Sequence, residues 1–207
     1  MTVFEGKIRH PNGIIMSIRQ FCMKYNILGC ETNSKSRNKT SITKKKWEKP
    51  PENWWKLNFD AAFDKDKNIC GMGLILRDCA GRFLEALVKA TKARDVEQGE
   101  VLALLEDTKW IRSRGWKNVI IEGDCKTVIE AVTSNFINSS WQDHNLLSDI
   151  SRNLESISNI KCVFFPMTGN EAADGLSKYA KKFVCNQVWS ENPPRCILST
   201  LEMDNSM

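Results

Sequence analysis

No run of about 18 apolar residues occurs in this 207-residue chain, so no segment can cross a bilayer as a helix. The first residues carry Lys7, Arg9 and Arg19 but neither the apolar stretch nor the small-residue cleavage site of a secretory signal. Histidine is scarce: His10 and His144 are the two, and neither is a candidate for catalysis. Cysteine is not scarce, but no two of Cys22, Cys30, Cys70, Cys79, Cys125, Cys162, Cys185 and Cys196 make a C-x-x-C pair. That argues against zinc, and several of these thiols sit in apolar runs as small hydrophobes. The expected setting is reducing and intracellular, nuclear or cytoplasmic. An organellar transit reading of the first 25 residues is the lesser alternative. There is no internal repeat.

What is present suits one ordinary domain plus an extension, with 42% apolar and 27% charged residues. The net charge of +5 is unevenly spread. Residues 1–55 hold 11 Lys/Arg against 4 Asp/Glu, and the remainder is slightly acidic. The basic part, with Lys44-Lys45-Lys46 beside Trp47, reads either as a reach along phosphates or as a solvated linker. Residues 1–46 are therefore set apart as an N-terminal extension with one short helical stripe, Ile14–Tyr25. Residues 47–185 form the domain and 186–207 a C-terminal tail.

Within the domain the periodicity changes once. Lys56–Phe63, Cys70–Arg77 and Arg82–Ala90 alternate as strands, the last two joined by a tight turn at Asp78–Gly81. Val96–Arg114 then follows a helical period and stops at Gly115. Val119–Ile121 is a short buried strand, and Asp124 opens a helix through Val132. Ser139 or Ser140 caps another helix to about Ile157. Ile160–Phe165 is the fifth strand, and Asn170 caps a last helix to about Phe183. The order β-β-β-α-β-α-α-β-α predicts an α/β fold, a five-stranded mixed sheet with helices on both faces.

Asp60 stands in the middle of the first strand, where Asp is disfavoured. Lys56, Asn58, Asp60 and Ala62 share its face, which by itself reads as meeting solvent. Glu100 lies early in the long helix, on the side of Ala103, Leu104 and Asp107. Asp124 follows the fourth strand, and Asp174 is one turn into the last helix. Singly, these are ordinary helix-start carboxylates.

Together, Lys56-Leu57-Asn58-Phe59-Asp60, Gly99-Glu100-Val101-Leu102-Ala103-Leu104, Glu122-Gly123-Asp124 and Asn170–Lys178 resemble the ribonuclease H family. In particular they resemble its plant branch, found at the ends of non-LTR retroelement reverse transcriptases. The resemblance implies an RNase H fold and a carboxylate set of Asp60, Glu100, Asp124 and Asp174. That set would hold two Mg²⁺ ions, with Mn²⁺ able to substitute, and hydrolyse the RNA strand of RNA–DNA hybrids. It assigns Asp60 to bridge the ions, Glu100 and Asp124 to one and Asp174 to the other. Asn58, Ala61 and Asn170 are the expected substrate contacts, and the protein is expected to act as a monomer.

Four departures from the family pattern accompany the match. The family's His-x-x-Arg-x-x-Asn run is Phe164-Phe165-Pro166-Met167-Thr168-Gly169-Asn170 here, so Phe164 and Met167 replace the His and the Arg. Ala61 stands where the family commonly has Gly, and Gly99 where it has Ala, which weakens the helix start. These changes keep open an alternative: a weak or inactive nucleic-acid-binding relic of a retroelement. A protein-interaction module using the N-terminal helix and exposed Trp residues is the more distant reading.

Overall fold

The computed structural model describes residues 45–133 and 143–206. The expected Ile14–Tyr25 helix, the linker to residue 44 and the Ser139/Ser140 cap lie outside them. In chain order the elements are β1 (Trp55–Asp64), β2 (Ile69–Arg77), β3 (Phe83–Lys92), α1 (Val96–Arg114), β4 (Val119–Gly123) and α2 (Lys126–Thr133). Then follow α3 (His144–Glu155), β5 (Ile160–Phe164), α4 (Glu171–Phe183), β6 (Gln187–Trp189) and α5 (Leu198–Asn205).

The sheet order is β5-β4-β1-β2-β3-β6. β4 runs parallel to both β1 and β5, while β1, β2, β3 and β6 pair antiparallel in turn. The fold is thus the expected α/β mixed sheet, with one strand more than expected. β6 is three residues long and pairs Val188 with Leu87, too short for alternation to reveal it. A further helix, α5, follows α4.

Apolar residues divide between two cores. α1, α2 and α3 cover one face over Leu57, Phe59, Met72, Leu74 and Ile121; α4 and α5 cover the other over Ile75, Ala86 and Val88. α1 begins at Asp95, whose carboxylate accepts the Gln98 N–H at 2.8 Å, and ends at Gly115, with φ of +68°. Asn170, the expected cap of α4, makes no side-chain cap bond. Its amide instead donates to the Phe59 carbonyl at 2.8 Å, just past the last β1–β4 pair, Asn58 with Glu122. A buried strand carbonyl without a ladder partner is costlier than an uncapped helix start, so the amide goes there.

The polar face of β1 is covered rather than solvated. Lys56 pairs with Glu122 at 2.7 Å, and Asn58 donates to Glu122 at 3.0 Å. Asn58 in turn accepts from Trp47 and Arg77, each at 3.0 Å. The Arg77 guanidinium lies 3.5 Å from the Trp47 ring centroid and pairs with Asp204 of α5 at 2.6 Å. Burial lowers the Arg77 pKa to about 10, with Asp204 opposing the shift, so Arg77 stays charged at neutral pH. Removing a partner from a buried ion pair strands the other charge. Asp204→Ala is accordingly expected to cost about 3 kcal/mol, the low end for buried pairs because Asp204 keeps contact with water. A urea melt at pH 7 measures it, and an unchanged midpoint would show that Arg77 is held by its other contacts.

Candidate metal centre

β1 and β4 are parallel neighbours paired at Asn58 and Glu122, so Asp60 and Asp124 emerge two residues further along at the same end of the sheet. α1 crosses this end and presents Glu100 from its second turn. Among the described residues, Asp60, Glu100 and Asp124 each offer a carboxylate oxygen, and these oxygens all lie within 4.8 Å of one another. The expected four acids are thus brought together as three. Asp174 stands at their margin, its Oδ2 accepting from Lys178 Nζ at 2.6 Å, and its charge acts on both Asp60 and Asp124.

The approach of α4 depends on two glycines of β2. A Cβ at Gly71 would lie 2.2 Å from the Lys181 backbone nitrogen, and one at Gly73 would lie 2.3 Å from that of Ser177. Gly73 is opposite Asp60 in the ladder, so α4 rests its main chain beside the acid cluster with no side chain between. Ser177 Oγ hydrogen-bonds Asp60 Oδ2 there.

Gly99 has a comparable cause. A Cβ in its place would meet Cys70 Sγ at 2.7 Å, so the glycine that weakens the helix start makes room for the Cys70 side chain. The Ala61 N–H donates to the Glu100 carboxylate, whose Oε2 is buried with no hydrogen-bond partner among the described residues.

Burial is the leading cause of every shift in the cluster. It raises the Asp60 pKa to about 6; the Ser177 hydrogen bond opposes this, and Asp124 and Asp174 add to it. Glu100 is raised well above the ordinary glutamate value by burial, then by Asp60 and Asp124. Asp124 is raised by burial and, less, by Asp174. One turn beyond Glu100's neighbours, Asp107 is fully enclosed with both oxygens unpartnered among the described residues, and burial raises its pKa well above the ordinary aspartate value.

The donors fit a divalent cation. They are all carboxylate oxygens, the hard ligands that Mg²⁺ and Mn²⁺ take, and they include a buried oxygen with no other partner.

The three expected substrate contacts fare differently. Asn58 is 0% exposed and its amide bonds Trp47, Arg77 and Glu122, and Asn170 is enclosed at the Phe59 carbonyl. Both are therefore built into the scaffold. Ala61 retains some surface. Phe164, at the end of β5 opposite Gly123, is 40% exposed and Met167 67%. Met167, Thr168, Glu171, Asp174, Gly175 and Thr200 line an open groove of about 360 Å³, which Asp174 alone of the four acids reaches. The sequence reading missed Ser177 as a partner of Asp60. Its only signal was a hydroxyl three residues after Asp174, on a helix face otherwise made of Ala172, Ala173, Leu176 and Ala180.

The model of the family described as reverse transcriptase-like matches residues 58–180. Among solved structures, RNase H1 from Halobacterium salinarum superposes with a TM-score of 0.58 at 18% identity, over 63% of this chain and 99% of that one. LC11-RNase H1 in complex with an RNA/DNA hybrid gives 0.56 at 16%, over 63% and 98%. The foamy viral protease–reverse transcriptase in complex with an RNA/DNA hybrid gives 0.53 at 18%, over 74% of this chain and 24% of that one. These likenesses establish a shared fold. No curated protein matches the chain by sequence.

Two predictions follow from the packing of the cluster. A carboxyl with a folded pKa near 6 and an unfolded value near 3.8 binds more protons folded than unfolded between those values. Its stabilising contribution is full below about pH 4 and is lost as pH rises through 6. With chelator present, stability should fall by about 3 kcal/mol over that window, at about 1.4 kcal/mol per pKa unit. Glu100 and Asp107, both raised by burial, act in the same direction. Asp60→Asn should flatten the profile and raise metal-free stability at pH 7.5 by about 2 kcal/mol in denaturant melts; a loss instead would contradict the repulsion. Separately, Gly99→Ala should be destabilising by about 1 kcal/mol despite its helix propensity, and Cys70→Ala should reverse the sign. A double-mutant cycle by thermal melting gives the coupling, and additivity would show that Cys70 is not the obstacle.

Proposed function

Since the chain belongs to the reverse transcriptase-like family and has an RNase H-like fold, we propose that it is a metal-dependent endonuclease hydrolysing the RNA strand of RNA–DNA hybrids. The observation that carries this reading is the convergence of Asp60, Glu100 and Asp124 within 4.8 Å at one end of the sheet. Asp60, Glu100, Asp124 and Asp174 would hold two Mg²⁺ or Mn²⁺ ions. When bound, the ions supply an activated water and neutralise charge at the scissile phosphate.

The chain's own residues do the positioning. β1 and β4 fix Asp60 and Asp124 on rigid neighbouring strands, and the Ala61 N–H orients Glu100. Burial excludes bulk water, so the carboxylates resist ionising together until a cation joins them. Asp174 is held on α4 by Lys178, a pair open to solvent and therefore easily exchanged for a metal. Recognition of RNA by its 2′-hydroxyls in the minor groove would explain cutting one strand only. With Asn58 and Asn170 enclosed, such contacts fall to the partly open Ala61 region and to the rim at Phe164 and Met167.

That rim favours a second reading, a weak or silent hybrid-binding relic. Phe164 and Met167 are exposed beside the acids and can neither transfer a proton nor pair with a phosphate. Cleavage of end-labelled RNA in a hybrid separates the two. Metal-dependent cuts that fall at least about a hundredfold in Asp60→Asn support the enzyme. In that case Phe164→His is expected to raise turnover by about tenfold or more. A wild-type chain that binds the hybrid but leaves it intact with either metal would establish the relic.

A further inference from the structure

We propose that Ser177 is a positioning residue that holds the Asp60 carboxylate in the metal centre, a role that rests on the reading of the acid cluster as a metal site. Ser177 is 0% exposed and lies on the apolar face of α4, among Ala172, Ala173, Leu176 and Ala180. A hydroxyl has no packing reason to be there. Its main chain packs directly on β2: its carbonyl oxygen would lie 2.3 Å from a Cβ at Gly71, and its nitrogen the same distance from a Cβ at Gly73. The position of Oγ is thereby fixed relative to β2, and through the Asp60–Gly73 pair relative to β1.

Two acceptors face that hydroxyl: Asp60 Oδ2, and the Asp174 carbonyl at 2.9 Å. One proton serves one of them at a time, and an ionised carboxylate is the stronger acceptor. Asp60 needs such a hold. Its neighbours Glu100, Asp124 and Asp174 are like charges, and a side chain free to rotate would turn away from them. The Ser177 contact opposes that rotation. Because Ser177 is one turn from Asp174 on the same helix, it also sets the spacing between the three-acid group and the fourth acid.

Outer partners that orient a metal ligand are worth about 10- to 100-fold in affinity. The test is Mn²⁺ binding to the full-length chain, read by the loss of free-ion electron paramagnetic resonance signal, with circular dichroism and thermal melting on the same samples. Ser177→Ala should keep the fold and raise the Mn²⁺ dissociation constant about tenfold. Ser177→Cys, which keeps most of the volume but donates poorly, should weaken binding in the same direction and carries the test should the alanine variant not fold. Unchanged Mn²⁺ affinity in a folded variant overturns the role of Ser177 while leaving the metal site standing. A wild-type chain that takes up no Mn²⁺ at millimolar concentrations overturns the metal site itself, and the positioning role with it.

Discussion

Three carboxylates share one end of the sheet at a depth where their repulsion is poorly screened, and the surrounding structure is arranged to keep them there. β1 and β4 must be parallel neighbours for Asp60 and Asp124 to emerge together. α1 must start at its Asp95 cap for Glu100 to reach them, and α4 must lie directly on Gly71 and Gly73 for Ser177 to meet Asp60. Each arrangement is bought with packing elsewhere, since the acids themselves oppose folding while ionised. The raised pKa values of Asp60, Glu100 and Asp124 measure that opposition.

The second polar assembly solves a different problem at the other end of β1. Lys56, Asn58, Arg77 and Glu122 are buried with opposite charges matched, so no strong repulsion is left. Trp47 and Asp204 close it from segments far apart in sequence. The same strand therefore carries a charge-paired network at one end, with only Arg77 Nε left without a partner among the described residues, and a cluster of like charges at the other. Only the like-charged end gains from a ligand out of solution. That contrast, more than burial alone, makes the acid cluster the candidate functional site.

Much of this was legible in the sequence, because the signals were local. Alternation in β1 to β3, the helical period of α1 and its Gly115 stop each depend on neighbours in the chain, and the structure gives them within a residue or two. The acids at strand and helix ends could be placed because parallel strands deliver their carboxyl ends together. What could not be read was set by long-range contact. Lys56 and Asn58 look solvent-facing until Trp47 and Glu122 cover them. Asn170 looks like a cap until an unpaired carbonyl at Phe59 claims it. Gly99 looks like a weakness until Cys70 is found against it. β6 is too short to carry a period, and its pairing is decided by the free edge of β3.

The missing histidine and arginine bear on the same electrostatic balance. With Phe164 and Met167 in their places, Lys178 is the one described cation that acts on Asp60, and it is already committed to Asp174 at the surface. An exposed pair of that kind contributes little and is screened by salt. Among the described residues, almost none of the positive charge that would balance these acids is supplied. Protons taken up by the raised carboxyls, or cations bound among them, would relieve the same repulsion. If cations bind there, as proposed, the stability of the site and its chemistry are linked through the same ions.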